Sequence, residues 1–274
     1  MPHYRADDGT TLSYSRSGAG APLICLPGGP LRDPVYLGDL GGLSRHREVI
    51  IPELRKTRVD HLVADIEALR RELGLEQPDL LAHSAGANLA LLYAAAHPAR
   101  IGRLVLVTPS CAAVDLEVSD EEWDATLAKR SAEPWFAAAH AALEALFEGA
   151  ATAEGRLAAA RLWHGPWTDR VEAFCAAEEQ QRTPNAIKIY YPEDALHPAA
   201  TIEALQKLAA PTLVLAGDLD PMCTLGVARE LAGMFPDAAL TVLPGCGHAP
   251  WVEFPEQFIK AVTSFLAQKE EIAP

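Results

Sequence analysis

Three residues that together could perform nucleophilic catalysis stand far apart in this chain, in the order Ser84, Asp220 and His248. Ser84 lies in the run Leu-Leu-Ala-His-Ser-Ala-Gly of residues 80–86, where an apolar strand pattern passes directly into a helix pattern. A serine at such a junction takes a strained backbone conformation, and its neighbours two positions away must be small. Alanine and glycine stand there, so the turn would expose the serine hydroxyl at the end of the strand. It would also set the Ala85 N–H at a helix N-terminus, where it could donate to a developing oxyanion.

A serine nucleophile needs a base, and the base needs an acid that orients it. The apolar run 213–216 is followed by Gly-Asp-Leu-Asp-Pro, so Asp218 and Asp220 both stand in an acidic turn at a strand end. A later run ends in Leu-Pro-Gly-Cys-Gly-His, which places His248 at the tip of a loop hinged by glycines. Serine, acid and histidine follow one another in this order in one enzyme fold. The weaker alternatives are Asp115 for the acid and, for the base, His97, His164 and His197.

The elements that position these residues alternate between strand and helix, which predicts an α/β fold with a mostly parallel sheet and helices on both faces. Helical periodicity without a convincing strand interrupts them. We therefore expect a core of residues 1–111 and 210–274 with a helical insert of residues 112–209. The predicted strands are 10–15, 23–26, 48–54, 79–82, 104–107, 212–216 and 240–243. The predicted core helices are 60–73, 85–96, 225–234 and 256–266, and residues 268–274 are expected to fray.

The composition limits the class of partner. The 274 residues carry 23 basic and 37 acidic side chains, a formal charge of −14. Such a surface repels phosphate backbones and anionic lipid, so we expect a small-molecule substrate and neither a nucleic acid nor a membrane partner. The five cysteines form no C-x-x-C pair, and the N-terminus lacks the apolar segment of a secretory signal. Both features favour a reducing compartment, and we predict a cytoplasmic protein of undetermined oligomeric state.

The sequence contains no motif that predicts a metal or cofactor site. The Gly-Ala-Gly of residues 18–20 precedes a strand and lacks a third glycine, so it does not predict a dinucleotide loop. No Gly-Lys-Ser/Thr phosphate loop occurs, and no histidine and cysteine cluster has metal-ligand spacing. We expect neither a metal nor an organic cofactor.

These motifs together resemble those of the α/β-hydrolase superfamily over nearly the whole chain. Residues 217–220 and 247–251 look like the family's acid and base turns, and the run Leu-Pro-Gly-Gly-Pro of residues 26–30 is similar to its oxyanion loop. The resemblance implies an α/β-hydrolase fold with an inserted helical cap, Asp220 as the acid of a triad, and the Gly29 N–H as second oxyanion donor. The Gly-Gly-Pro run is closest to the proline iminopeptidase branch.

Three positions depart from the family pattern. Pro27 stands where histidine is usual, which should leave the backbone donor intact. Ala82 replaces the commoner glycine before the serine and adds only a Cβ. Residues 53–57 keep an arginine but lack the glycine of the family's turn, so we expect a pocket that differs from familiar members.

The triad implies acyl transfer, in which Ser84 attacks a carbonyl and water later releases the acyl group. Our first hypothesis is a serine hydrolase of a small, mostly apolar ester, lactone or thioester. Two alternatives are also enzymes, an aminopeptidase or amidase of the proline iminopeptidase type and a carbon–carbon bond hydrolase. A fourth hypothesis is a hydrolase-fold ligand-binding protein with little turnover, because fold alone does not prove activity.

Aromatic residues of the insert are the candidates for a substrate pocket over Ser84, although buried aromatics also build ordinary cores. Acidic residues of the insert could bind a substrate amine, as the resemblance to proline iminopeptidases implies, or form a solvated helix face. The aromatic candidates are Trp163, Trp167, Phe174, Tyr190 and Tyr191, and the acidic ones are Glu172, Glu178 and Glu179.

Overall fold

A single sheet of eight strands runs through the described part of the computed structural model, residues 1–150 and 152–267. In chain order the strands are β1 (His3–Arg5), β2 (Thr11–Ser17), β3 (Pro22–Leu26), β4 (Glu48–Pro52), β5 (Asp79–His83), β6 (Leu104–Val107), β7 (Thr212–Gly217) and β8 (Ala238–Leu243). Their spatial order is β1-β2-β4-β3-β5-β6-β7-β8, and only the pairs β1–β2 and β2–β4 of these are antiparallel. Parallel strands end at one edge of a sheet, so β3, β5, β7 and β8 deliver their following loops to the same place.

Helices cover both faces of this sheet. In chain order they are α1 (Val59–Glu72), α2 (Gly86–Ala96), α3 (Asp120–Ala128), α4 (Phe136–Phe147), α5 (Ala153–Ala160), α6 (Asp169–Gln181), α7 (Ala186–Tyr190), α8 (Pro198–Leu205), α9 (Leu225–Gly233), α10 (Pro250–Glu253) and α11 (Pro255–Leu266). Ile24 of β3 belongs to the same buried core cluster as Leu62 of α1 and Leu231 of α9. Its neighbour Leu23 points to the opposite face and belongs to a second cluster that includes Phe258 of α11. The predicted α/β class with a mostly parallel sheet is confirmed.

Several elements differ from the sequence prediction. The pattern predicts no strand at β1, whose three residues with one inward side chain, Tyr4, are too few to show alternation. β4 ends at Pro52 and β8 begins at Ala238, each two residues from the predicted limit. Two 3-10 helices, Pro34–Leu37 and Leu40–Arg45, are also unpredicted, because glycines with positive φ interrupt the second and erase its periodicity.

Residues 112–209, called the insert below, enter between β6 and β7 and contain α3 to α8. Ser119 caps α3 by accepting a hydrogen bond from the Glu122 backbone N–H at 3.2 Å. The first half of the insert has a small core that includes Leu127 and Leu143, while the second half packs on the main core through Tyr190. The described residues of the insert form helices and turns but no strand, as the periodicity predicts. Its exact boundaries stay a prediction.

Two further expectations concern the ends of the chain and membranes. The tail predicted to fray, residues 268–274, lies outside the described residues. Among the helices that the structure describes, none combines the length and the apolar character needed to cross a membrane.

Candidate active site

Ser84 lies in a tight turn between β5 and α2, with a backbone φ of +52° in the left-handed region. Non-glycine residues enter this region at a cost, so the surroundings must hold the conformation. A Cβ on Gly86 would lie 2.6 Å from two carbonyl oxygens of the oxyanion loop, residues 26–30. A Cβ on Gly28 would lie 2.9 Å from the Cβ of Ser84. The turn and the oxyanion loop therefore pack so closely that neither glycine can carry a side chain.

A chain of hydrogen bonds joins the three residues singled out from the sequence. His248 Nε2 lies 3.0 Å from Ser84 Oγ, and His248 Nδ1 lies 2.8 Å from Asp220 Oδ2. Asp220 is fully buried, and its other oxygen accepts a hydrogen bond from the Met222 backbone N–H at 2.9 Å. This is the arrangement in which a base can activate a nucleophile while an acid orients the base.

The neighbouring acid, Asp218, has a different place. Its Oδ1 accepts a hydrogen bond from the Gly245 backbone N–H at 2.6 Å. Gly245 belongs to the base loop, residues 244–249, which carries His248. Asp218 therefore holds the backbone of this loop, whereas the carboxylate of Asp220 contacts the imidazole.

The electrostatics of the site favour a stronger base than a free imidazole. Burial alone would lower the pKa of His248, because it penalises the charged ring. The Asp220 carboxylate outweighs burial through its charge and its hydrogen bond, and the pKa of His248 is raised above the usual 6.5. The same carboxylate would stabilise an imidazolium formed when the ring takes a proton.

The predicted oxyanion donors have no hydrogen-bond acceptor among the residues that the structure describes. The Gly28 N–H donates to the Tyr36 hydroxyl at 2.7 Å, so it is already used. The N–H groups of Gly29 and Ala85 donate to no other group within residues 1–150 and 152–267. Ala85 stands immediately before α2, where the helix dipole favours negative charge.

Glu253 holds the base loop in place, a role that the sequence analysis missed. Its carboxylate is buried and accepts backbone N–H groups of Gly247 at 2.6 Å, Ala249 at 3.0 Å and Gly165 at 2.9 Å. It also lies 2.8 Å from His164 Nδ1. Burial opposes its ionisation, but His164 and the backbone donors outweigh burial and lower the pKa of Glu253. This carboxylate therefore joins the base loop to the insert.

Arg130 makes a second buried connection. Its guanidinium donates to the carbonyl oxygens of Arg161 at 3.0 Å and Leu219 at 3.1 Å, and to those of Leu162 and His164. Leu219 stands between the two acids of the acid turn, residues 217–221. Arg130 thus fastens the insert to the turn that carries Asp220.

Two predicted pocket residues, Tyr190 and Tyr191, lie against the turn that carries Ser84. Tyr190 is fully buried, and its hydroxyl donates to the Ala85 carbonyl at 3.3 Å. The Tyr191 hydroxyl accepts a hydrogen bond from Asn88 Nδ2 of α2 at 2.7 Å. Tyr190 therefore borders the candidate site directly, while Tyr191 braces the helix that follows it.

The other three aromatic candidates have mixed positions. The Trp163 carbonyl accepts the His248 backbone N–H at 2.8 Å, so this residue supports the base loop through its backbone. Trp167 lines a cavity of about 380 Å³ whose lining does not include Ser84. Phe174 packs against the rings of Tyr36 and Trp251 and lines a separate cavity of about 700 Å³. A substrate-binding role for these aromatics stays a prediction.

The acidic candidates of the insert already have partners. Glu172 accepts a hydrogen bond from the Trp167 indole at 3.2 Å, Glu178 pairs with Arg32 at 3.3 Å, and Glu179 pairs with Arg156 at 2.7 Å. The arginine of residues 53–57, Arg55, likewise bonds to Asp65 of α1 and to Asp8 rather than to any residue of the candidate triad.

The two cysteines beside the acid turn and the base loop, Cys223 and Cys246, are fully buried free thiols. Burial raises the pKa of both, so they stay protonated and act as packing residues. Within the described residues, no three or more histidine, cysteine or acidic side chains group so that they could hold a metal ion.

Comparisons with known proteins extend this picture. The sequence model of a family described as the alpha/beta hydrolase fold matches residues 22–255. A 2-hydroxymuconate semialdehyde hydrolase of Pseudomonas sp. (strain CF600) is 27% identical over 97% of this chain and 93% of its own. A proline iminopeptidase of Lactobacillus helveticus is 25% identical, with 91% of each chain covered. The solved structure of the esterase RhEst1 from Rhodococcus sp. ECU1013 superposes with a TM-score of 0.72 at 20% identity, over 97% of this chain and 98% of that one.

The family match spans most of the chain, and the solved esterase structure covers 97% of it. The mostly parallel sheet and the strained backbone of Ser84 agree with the sequence prediction. This chain belongs to the alpha/beta hydrolase family of enzymes.

Proposed function

We propose that this protein is a serine hydrolase in which Ser84 is the nucleophile, His248 the base and Asp220 the orienting acid. The observation that supports this proposal is the continuous hydrogen-bond chain from Ser84 Oγ through His248 to a fully buried Asp220 carboxylate. A serine hydroxyl is a weak nucleophile unless a neighbouring base takes its proton. The raised pKa of His248 suits it to that task near neutral pH.

The reaction proceeds by acyl transfer. Ser84 Oγ forms a bond to the carbonyl carbon while its proton passes to His248 Nε2, and the N–H groups of Gly29 and Ala85 bind the oxyanion. Donors of this kind contribute roughly 3–4 kcal/mol each to the transition state. His248 then gives its proton to the leaving oxygen or sulfur as that bond breaks. Water, deprotonated by His248, attacks the acyl-enzyme and restores the serine.

The substrate class we favour is a small, mostly apolar ester, lactone or thioester. Tyr190, which borders the site, presents a buried ring whose hydroxyl is already bonded to the protein. The three candidate glutamates, Glu172, Glu178 and Glu179, each have a partner in the protein, so none of these three carboxylates is free for a substrate amine. This disfavours the iminopeptidase type, although a proline iminopeptidase is among the relatives.

A second candidate function is the cleavage of a carbon–carbon bond. The Pseudomonas relative, named as a 2-hydroxymuconate semialdehyde hydrolase, aligns with 97% of this chain. A serine, a base and an oxyanion site serve such a reaction as well as they serve ester hydrolysis.

The first test is reaction of the full chain with a fluorophosphonate probe, read as intact mass. We expect one adduct on the wild type and none on Ser84→Ala or His248→Ala. Ser110→Ala is the matched control, because Ser110 lies against the same turn and its loss should leave labelling intact. An unlabelled wild type would overturn the proposal and favour a ligand-binding protein.

Turnover assays then separate the substrate classes. p-Nitrophenyl butyrate, proline p-nitroanilide and 2-hydroxymuconate semialdehyde represent the ester, iminopeptidase and carbon–carbon alternatives. We expect the ester to be hydrolysed fastest and the anilide not to be hydrolysed. Preferred consumption of the semialdehyde would replace the ester assignment with the second candidate.

A further inference from the structure

A polar relay joins the oxyanion loop to the base loop through two buried side chains outside the candidate triad. The Gly28 N–H donates to Tyr36 Oη at 2.7 Å, and Tyr36 Oη lies 2.8 Å from His83 Nδ1. His83 Nε2 in turn lies 3.0 Å from the carbonyl oxygen of His248. Tyr36 is 6% exposed and His83 is 5% exposed, so water has little access to these bonds.

The direction of every bond in the relay is fixed by its two ends. A backbone N–H can only donate, so Tyr36 Oη accepts from Gly28 and keeps its own proton for His83 Nδ1. A carbonyl oxygen can only accept, so His83 Nε2 carries the ring proton and donates to His248. The two requirements agree on one tautomer of His83.

The protonation state of His83 is fixed as well. Burial, together with the nearby charge of His248, lowers the pKa of His83 well below its usual value. A proton on Nδ1 would also point at the hydroxyl proton of Tyr36 and break that bond. His83 is therefore a neutral spacer that links two loops, and it is not itself placed to act as a base toward Ser84.

The relay bears on catalysis because it grips the two loops that must face the same substrate carbonyl. Glycines at positions 28 and 29 leave the oxyanion loop with wide conformational freedom, and Gly29 has a φ of +115°. Building on the proposed function, we propose that Tyr36 and His83 are positioning residues. They hold the oxyanion loop and the base loop at a fixed separation, so that the Gly29 N–H and His248 Nε2 address one carbonyl group.

The first experiment is steady-state kinetics of Tyr36→Phe on p-nitrophenyl butyrate. Misplacing a catalytic group by a small distance lowers turnover more than binding, so kcat should fall by about 10- to 100-fold and KM should change by less than about threefold. Tyr93→Phe is the matched control. Tyr93 is also buried, and its hydroxyl donates to Glu67 of α1 at 2.8 Å, a residue outside the relay and the candidate triad. Its loss should leave kcat unchanged.

An amide replacement, His83→Gln, tests the second residue of the relay and remains informative if Tyr36→Phe folds poorly. The amide nitrogen of His83→Gln reaches the position of Nε2, so this variant keeps the bond to His248 and loses the acceptor for Tyr36. The Tyr36–His83 bond is then absent from both single variants, and the double variant Tyr36→Phe/His83→Gln should be little worse than Tyr36→Phe alone. Effects that multiply in the double variant, or a kcat of Tyr36→Phe within twofold of wild type, would overturn the inference.

The same assays separate this inference from the function on which it rests. If Ser84→Ala retains turnover, both fall. If Ser84→Ala is inactive while Tyr36→Phe and His83→Gln turn over at the wild-type rate, only the relay falls.

Discussion

The insert is attached to the core on two sides of the candidate site, and the two attachments differ in burial. On the base side, Arg130 and Glu253 are 7% and 6% exposed, and most of their partners are backbone groups. On the oxyanion side, Arg32 follows the oxyanion loop and reaches two side chains of α6, Gln181 at 2.9 Å and Glu178 at 3.3 Å. The Arg32 side chain is 10% exposed, but its partner Glu178 is 45% exposed, so the difference between the two sides lies in the acidic partner.

This difference in burial predicts which attachment of the insert is rigid and which one opens. A buried charge that loses its partners has no water to replace them, so its contacts are costly to open. On the oxyanion side the Glu178 carboxylate is half-exposed, so water can replace its contact with Arg32 at lower cost. We therefore expect the base side to hold the geometry of Asp220 and His248, and the oxyanion side to open when substrate enters.

The largest effect should come from Asp220→Asn on the base side. The neutral amide cannot stabilise the imidazolium as the carboxylate does, and its NH₂ group favours the wrong tautomer of the ring, so kcat on p-nitrophenyl butyrate should fall by about 10⁴-fold. Asp218→Asn is the matched control in the same turn, since Asp218 bonds to the Gly245 backbone and not to His248. Equal losses in the two variants would contradict the assignment of Asp220.

The pH dependence of activity gives the same assignment a sign. The base must be neutral to take a proton, and the pKa of His248 is raised because the Asp220 carboxylate outweighs the effect of burial. In the wild type, kcat/KM should fall as pH drops through an apparent pKa above 6.5. In Asp220→Asn the residual activity should persist to lower pH. A pH profile that does not move between the two proteins would contradict this prediction.

Glu253→Gln should have the next largest effect, this time on stability. The carboxylate accepts hydrogen bonds from backbone N–H groups, whereas the amide would point its own NH₂ donor at one or more of them. The free energy of unfolding should therefore fall by about 3 kcal/mol. The lowered pKa of Glu253 means that its stabilisation is present above 4.5 and is lost as pH falls through the folded-state value. Urea denaturation at pH 7 and at acid pH should show a smaller acid loss in the variant than in the wild type. Glu256→Gln is the control, because Glu256 is exposed. It should change neither the free energy of unfolding at pH 7 nor its loss at acid pH.

The sequence pattern predicted the three residues of the candidate triad, but not the buried side chains that hold their loops in place. Ser84, Asp220 and His248 each follow an apolar run, and parallel strands bring such positions to one edge. Glu253 left a signal, a lone acid within the apolar residues 249–254, whose meaning depends on the loop it faces. Arg130 left none, because it donates to backbone carbonyl oxygens, which every residue type provides.

The residues of the relay, Tyr36 and His83, were also beyond what the sequence pattern could predict. Tyr36 lies in a 3-10 helix that glycines with positive φ follow, so its helical pattern is too short to recognise. His83 was visible within the serine motif, but its partners come from loops far away in the chain. Residue type and periodicity determine the sheet. Polar contacts between distant loops require the three-dimensional packing to be known.

Arg130→Met should cost less than Glu253→Gln, because it leaves neutral carbonyl acceptors without a partner, whereas Glu253→Gln also turns an NH₂ group toward backbone N–H donors. We expect a loss of about 2 kcal/mol in the free energy of unfolding, with partial recovery in Arg130→Lys, which keeps the charge but not the planar fork. Lys129→Met is the control, since Lys129 donates to the Asp218 carbonyl at 2.6 Å but is exposed. A loss in Lys129→Met as large as that in Arg130→Met would mean that burial does not set the strength of the base side.

The smallest effect should follow Glu178→Gln on the oxyanion side. The partner Arg32 keeps its hydrogen bonds to Gln181 and its stacking on Tyr36, with the guanidinium carbon 4.4 Å from the ring centroid. The Glu178 end of this pair is half-exposed, so the pair contributes about 1 kcal/mol or less, and salt weakens it further. Urea denaturation at low and high ionic strength should therefore give a loss below about 1 kcal/mol that shrinks with salt, and kcat should stay within threefold. A loss that matches Glu253→Gln would mean that the two attachments are equally rigid, and substrate would then have to enter without the insert opening on this side.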